Sequence, residues 1–214
     1  MTCNFKIYKK AFCIMVFVMS NFMSSSQGNT STFKAQFGLG LNSPSESGFV
    51  SGFEGKTSNF PTVNLGIQYM FKPVLGAKLD YSFNRISNKK EAQEFKLNYS
   101  RINLQAVYNA NRIFNLSQNK GVFIHAGPGI STVKPLGNFT QNKTSFVNVM
   151  AGVELHFGIS DKLSVYTDVS YIYGFAKDFE PISDGFGAFN GSLLTLTVGA
   201  SISLSGCYYC EQND

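Results

Sequence analysis

The sequence has no tryptophan, two histidines, four cysteines and six prolines in 214 residues, and only 14% of its residues are charged. So little charge, beside 43% hydrophobic residues, excludes an intrinsically disordered chain, which needs the opposite balance. Leu, Ala, Glu and Lys are sparse relative to Phe, Ser, Asn, Gly and Val, which argues against a helical bundle. No apolar run reaches the roughly 20 residues of a spanning helix. Mean hydropathy, at -0.03, is too low for a bundle of such helices. No phosphate loop, zinc-binding helix motif or nucleophile elbow is present. With Cys3 and Cys13 near the N-terminus and Cys207 and Cys210 near the C-terminus, no disulfide framework spans the middle of the chain.

What is present is aromatic: 21 Phe and 10 Tyr, with 20 Gly. Phe, Tyr, Val, Thr and Ile with many glycines favour strands joined by turns. A chain rich in aromatics yet neutral in hydropathy implies alternation of apolar with polar residues. The formal charge of +5 has a local origin. Lys6, Lys9 and Lys10 precede an apolar run over 11–19, and Ser24, Ser25 and Ser26 follow. This pattern predicts a signal peptide over 1–26 rather than an amphipathic first helix. Its removal leaves +2, so no nucleic-acid partner is expected. The predicted organisation is a signal over 1–26, a barrel over 27–204 and a short periplasmic tail over 205–214.

From residue 32 onward the dominant period is two, in eight segments. Apolar residues alternate from Phe33 to Leu41, Val63 to Phe71, Leu75 to Phe83 and Phe95 to Tyr108. They alternate again from Val122 to Ile130, Val147 to Phe157, Leu163 to Tyr173 and Leu194 to Leu204. In the fourth segment, Phe95, Leu97 and Tyr99 give way to Ile102, Leu104, Ala106 and Tyr108 in the other phase, which predicts a β-bulge near Ser100. The fifth is irregular, with Phe123 in the polar phase and Pro128 in the apolar one. Long polar connections (42–61, 85–94, 133–145, 176–190) alternate with tight ones (72–73, 160–162), and 110–121 is intermediate. Long loops at one rim and short turns at the other characterise membrane barrels.

Two features set the lipid-facing phase. The polar phase is built from Gly, Ser, Asn, Gln and Thr with isolated charges, unlike the Lys- and Glu-rich surface of a soluble barrel. Aromatics of the apolar phase also gather at segment ends. Phe33, Tyr69, Phe71, Tyr108 and Phe157 lie towards the short turns; Tyr81, Phe83, Phe95, Tyr99, Tyr171 and Tyr173 lie towards the long loops. The predicted fold is therefore an all-β, eight-stranded, antiparallel up-and-down transmembrane barrel.

A signal, eight alternating strands, glycines flanking Leu39 (Gly38, Gly40) and Pro128 (Gly127, Gly129), and four long loops together resemble the OmpA-type outer-membrane β-barrel family. The resemblance covers 32–204 and is architectural. It implies a bacterial outer-membrane location, outer-membrane lipid as surroundings, insertion by the barrel-assembly machinery, and roles in envelope integrity or surface contact. Many relatives carry a peptidoglycan-binding domain after the barrel. This chain stops ten residues past Leu204, so cell-wall anchoring is not implied.

Among candidate site residues, Lys34, Lys78, Asp80, Arg101, His125, Glu154, His156 and Asp168 all fall in the polar phase. A hairpin centred near residue 140 would set His125 and His156 roughly opposite one another, with Glu154 one step away. A metal site or acid–base pair would need a third convergent group, which spacing does not identify. The expectation is therefore a paired polar network filling the lumen, with no metal, no cofactor and no catalytic residue. Cys207 and Cys210 could form a local disulfide. Phe49, Phe53 and Phe60, in the first long loop, are the surface-contact candidates for extracellular or envelope partners. The expected function is a non-enzymatic, plugged barrel that stabilises the envelope or presents its loops. The alternatives are a lipid A-modifying barrel enzyme and a soluble secreted barrel holding an apolar ligand.

Overall fold

The structure, a computed structural model, describes residues 33–49, 52–116, 119–176, 189 and 191–205. The predicted signal peptide and the Cys207 and Cys210 tail lie outside the described residues.

Eight strands follow one another: β1 (Phe33–Pro44), β2 (Asn59–Met70), β3 (Leu75–Ser87), β4 (Lys96–Asn109), β5 (Lys120–Pro135), β6 (Thr144–Gly158), β7 (Leu163–Gly174) and β8 (Leu193–Ser203). Each pairs antiparallel with the next, and β8 pairs with β1, so the sheet is closed. A single helical turn, α1 (Asn111–Phe114), sits in the connection between β4 and β5. Strands of 11–16 residues exceed the usual length in soluble proteins and suit a tilted crossing of hydrocarbon. Following paired residues once round, from Phe33 through Tyr69, Ala77, Ala106, Ala126, Ala151, Tyr171 and Leu194, returns to β1 at Ser43, ten residues along from the start. Such a stagger goes with strands tilted about 35–45° from the barrel axis.

The barrel is polar inside and apolar outside. Phe37, Leu65, Leu79, Ile102, Leu104, Val153, Val169 and Leu196 are exposed on the outer face, while Gln36, Asn64, Asp80, Arg101, Asn103, Glu154, Asp168 and Thr197 are buried. One strand period places each set on its own face. Tyr69, Phe71, Tyr108 and Phe157 face outward at the turn end, and Tyr81, Tyr171 and Tyr173 at the loop end. These two girdles fit the heights of the lipid interfaces.

The fourth strand departs from expectation. Its pairing with β3 runs without a shift from Leu75↔Tyr108 to Ser87↔Lys96, so there is no bulge near Ser100. Leu97 and Tyr99 therefore share the inward face with Arg101, Asn103 and Gln105, and both are wholly buried. The change of apolar phase marks a change in what the lumen contains. At the loop end it is filled by Phe53, Ile86, Phe95, Leu97, Tyr99, Val133, Phe146, Met150, Ile172, Phe189 and Leu193, with Phe49 against them. Phe95 and Tyr99 thus belong to this inner cluster and not to the outer girdle. A smaller cluster of Met70, Val107 and Phe123 fills the turn end. Phe123 looked out of phase in the sequence for the same reason.

The outer face yields a direct test. Leu104 lies mid-strand on the outer surface and is 60% exposed. Leu104→Arg should destabilise the barrel folded in lipid vesicles by about 2–4 kcal/mol, as charge on the hydrocarbon-facing midplane does. Urea titration followed by unheated gel migration measures it. A soluble barrel would tolerate this exposed substitution with little change.

Candidate functional site

Between the two apolar clusters lies a band of buried charge. Alternation puts all eight candidates, Lys34, Lys78, Asp80, Arg101, His125, Glu154, His156 and Asp168, inside the barrel, each at most 3% exposed. Taking charge out of water is costly unless it is paired and hydrogen-bonded, and the partners are found both on adjacent strands and across the barrel.

Towards the loop end, the Tyr99 hydroxyl lies 2.6 Å from Ser131 Oγ, which also accepts from Asn148 Nδ2 at 2.8 Å. Asn103 Nδ2 donates to Asn148 Oδ1 at 2.6 Å. Tyr99 thus marks the boundary, its ring in the apolar lid and its oxygen in the polar layer. Below it, Arg101 Nη1 donates to Asp80 Oδ2 at 2.6 Å and to Asn103 Oδ1 at 3.2 Å. The next layer centres on Glu154. Its Oε1 accepts from Lys78 Nζ, and its Oε2 lies 2.8 Å from His156 Nε2 and 3.0 Å from Gln36 Nε2. Lys34 Nζ sits over the Phe123 ring, 4.6 Å from its centroid, a cation–π arrangement at the turn end.

The two histidines are not opposite each other. The β5–β6 register pairs His125 with Gly152 and His156 with Gly121, because the hairpin is centred between residues 138 and 139. They therefore join different parts of the network. His156 stacks on Tyr166, with centroids 5.2 Å apart, and places Nδ1 3.1 Å from Ser164 Oγ. His125 Nδ1 meets Gln105 Oε1, and its Nε2 lies 3.4 Å from Asp168 Oδ1. Gly152 makes room for it: a Cβ there would come within 2.7 Å of His125 Nε2. Asp168 Oδ1 also accepts from Ser170 Oγ at 2.6 Å.

Ser164, His156 and Glu154 are connected in the order of a hydrolase triad. Ser164 is only 3% exposed, however, and faces into the packed lumen, so a bulky ester has no approach to it. Its hydroxyl instead orients His156. The neutral partners Gln36, Asn103, Gln105, Ser131, Asn148 and Ser164 are what sequence reasoning missed. Their signal was membership of the inward phase, which many Ser and Asn residues share.

The loop aromatics divide. Phe53 is 8% exposed and packs into the lid, where Phe49 stacks 4.7 Å from Phe189 and 5.5 Å from Phe95. The first loop folds its rings inward because the apolar loop end of the lumen lies beneath it. Phe53 is buried there and Phe49 half-buried. Phe60, at the start of β2, is exposed.

Removing one member of the Lys78–Glu154 pair should cost more than removing both. Lys78→Met leaves a buried carboxylate and is expected to destabilise by about 3–5 kcal/mol, whereas Lys78→Met with Glu154→Gln should recover most of that loss. Equilibrium unfolding of the two single variants and the double variant measures the coupling. Additive losses would show that the pair is not coupled.

No curated protein matches the sequence. Among solved structures, the Neisserial surface protein A superimposes with a TM-score of 0.57 at 13% identity, covering 83% of this chain and all of the other. The N-terminal β-barrel domain of Pseudomonas aeruginosa OprF gives 0.49 at 10% identity, over 82% of this chain and 98% of the other. Residues 11–201 match the outer membrane protein beta-barrel domain, and the chain belongs to that family of outer-membrane barrels.

Proposed function

We propose that the protein is a non-enzymatic barrel of the bacterial outer membrane, delivered there by its N-terminal signal and inserted by the barrel-assembly machinery. It supports envelope integrity and presents its long loops at the surface. The observation that carries this reading is the filled lumen. Among the described residues, an apolar lid at one end and an apolar cluster at the other enclose a charge layer whose members are buried and paired. A pore instead keeps its lumen open and lined with solvated polar groups. The lid also anchors the first loop, through Phe49 and Phe53, to Phe189 in the connection between β7 and β8. The first loop is thus held against the rim of the barrel, the usual arrangement for contact surfaces. Exposed Phe60 remains the contact candidate of the original three.

Two measurements test this. In planar bilayers the purified barrel should show no sustained conductance steps of porin size, and regular large steps would contradict a filled lumen. Deleting the gene should raise sensitivity to detergents and leave lipid A acyl composition unchanged by mass spectrometry. Altered acylation restored by the wild-type gene, but not by His156→Ala, would instead favour a lipid-modifying enzyme.

A further inference from the structure

One atom of the charge layer is at odds with its surroundings. His125 is 1% exposed, and its Nε2 makes no hydrogen bond among the described residues. The other ring nitrogen is engaged: Nδ1 meets Gln105 Oε1, and with that oxygen as acceptor the ring proton is assigned to Nδ1. That leaves the Nε2 lone pair aimed at Asp168 Oδ1, 3.4 Å away. A lone pair facing a carboxylate is repulsive unless a cation lies between them. Arg101 pairs with Asp80 and Lys78 with Glu154, while Asp168 faces His125.

We propose that His125 Nε2, Asp168 and Glu154 form a transition-metal site of the zinc class inside the barrel. Ligand atoms of the three residues lie within 4.8 Å of one another. Around a tetrahedral zinc with bonds of about 2.0–2.1 Å, ligand atoms sit roughly 3.3 Å apart, so the His125–Asp168 spacing needs little adjustment. One imidazole and two carboxylates suit a borderline divalent cation better than calcium or magnesium, which take oxygen alone. The surrounding bonds are those a metal site requires. Gln105 fixes the His125 tautomer, Ser170 orients Asp168, and Gln36 and His156 hold Glu154. Gly152 opposite His125 keeps the space open. Glu154 would be shared between Lys78 and the ion. The ion would tie β5, β6 and β7 together from within, three strands that otherwise meet only as successive pairs.

The full chain carrying Cys3→Ser, Cys13→Ser, Cys207→Ser and Cys210→Ser, so that no thiol can bind metal, is refolded into detergent with Zn2+ or Co2+ and freed of excess ion. Unheated gel migration confirms that each variant is folded. The expected result is one ion per chain, with visible Co2+ absorption bands. Affinity should fall at least 100-fold in His125→Ala and in Asp168→Asn, and about 10- to 100-fold in Gln105→Leu. Less than a tenth of an equivalent retained by the folded parent would overturn the proposal, as would undiminished binding by His125→Ala. So would 15N spectra showing His125 Nε2 protonated in the presence of Zn2+, which would mean that a proton bridges to Asp168 instead.

Discussion

The ladder that joins β8 to β1 is the constraint on which everything else depends. Eleven pairings, from Lys34↔Ser203 to Pro44↔Leu193, close the sheet and leave no strand edge. In hydrocarbon an unpaired backbone group costs several kcal/mol, so a sheet that meets lipid must have no edge. Closure at eight strands then fixes the size of the interior. It is too narrow for an aqueous channel and just wide enough for side chains to fill. An apolar exterior and a packed interior both follow from that geometry.

Packing a lumen with polar side chains creates a second demand. Charges withdrawn from water must find partners on adjacent strands or across the barrel, and those partners come from other parts of the chain. Arg101 reaches Asp80 on β3, Lys78 reaches Glu154 on β6, and Gln36 reaches Glu154 from β1. Such bridges contribute less to net stability than to the uniqueness of the register, since a one-residue slip would turn every charge towards lipid. The two apolar clusters complete the arrangement by packing against the two ends of the charge layer.

Much of this was legible in the sequence because strand alternation is local. Leu194, Leu196 and Val198 against Thr195, Thr197 and Gly199 need no distant contact to be read correctly. Leu97 and Tyr99 were misread because lipid and the apolar lid are both apolar, and hydrophobicity alone does not tell them apart. Only the unshifted β3–β4 register shows which way they point. The histidines were misplaced for a related reason. A hairpin centre displaced by two residues moves the residue opposite His125 from His156 to Gly152, four positions along. Membership of the charged layer was therefore readable, whereas its pairing was not, because pairing depends on loop geometry that polar loop residues scarcely encode. Phe49 and Phe53 were misjudged as loop-surface residues because burial under a lid is a long-range property.

The central claim is that one face of each strand meets lipid while the other is sealed inside. The natural absence of tryptophan makes this directly measurable. Phe37→Trp places a single indole on the exposed face of β1, and Phe123→Trp places one inside at the turn end. Folded into vesicles containing brominated lipid, the Phe37→Trp protein should be strongly quenched, and the Phe123→Trp protein should fluoresce as it does in unbrominated lipid. Equal quenching of both, or quenching of the Phe123→Trp protein alone, would contradict the account.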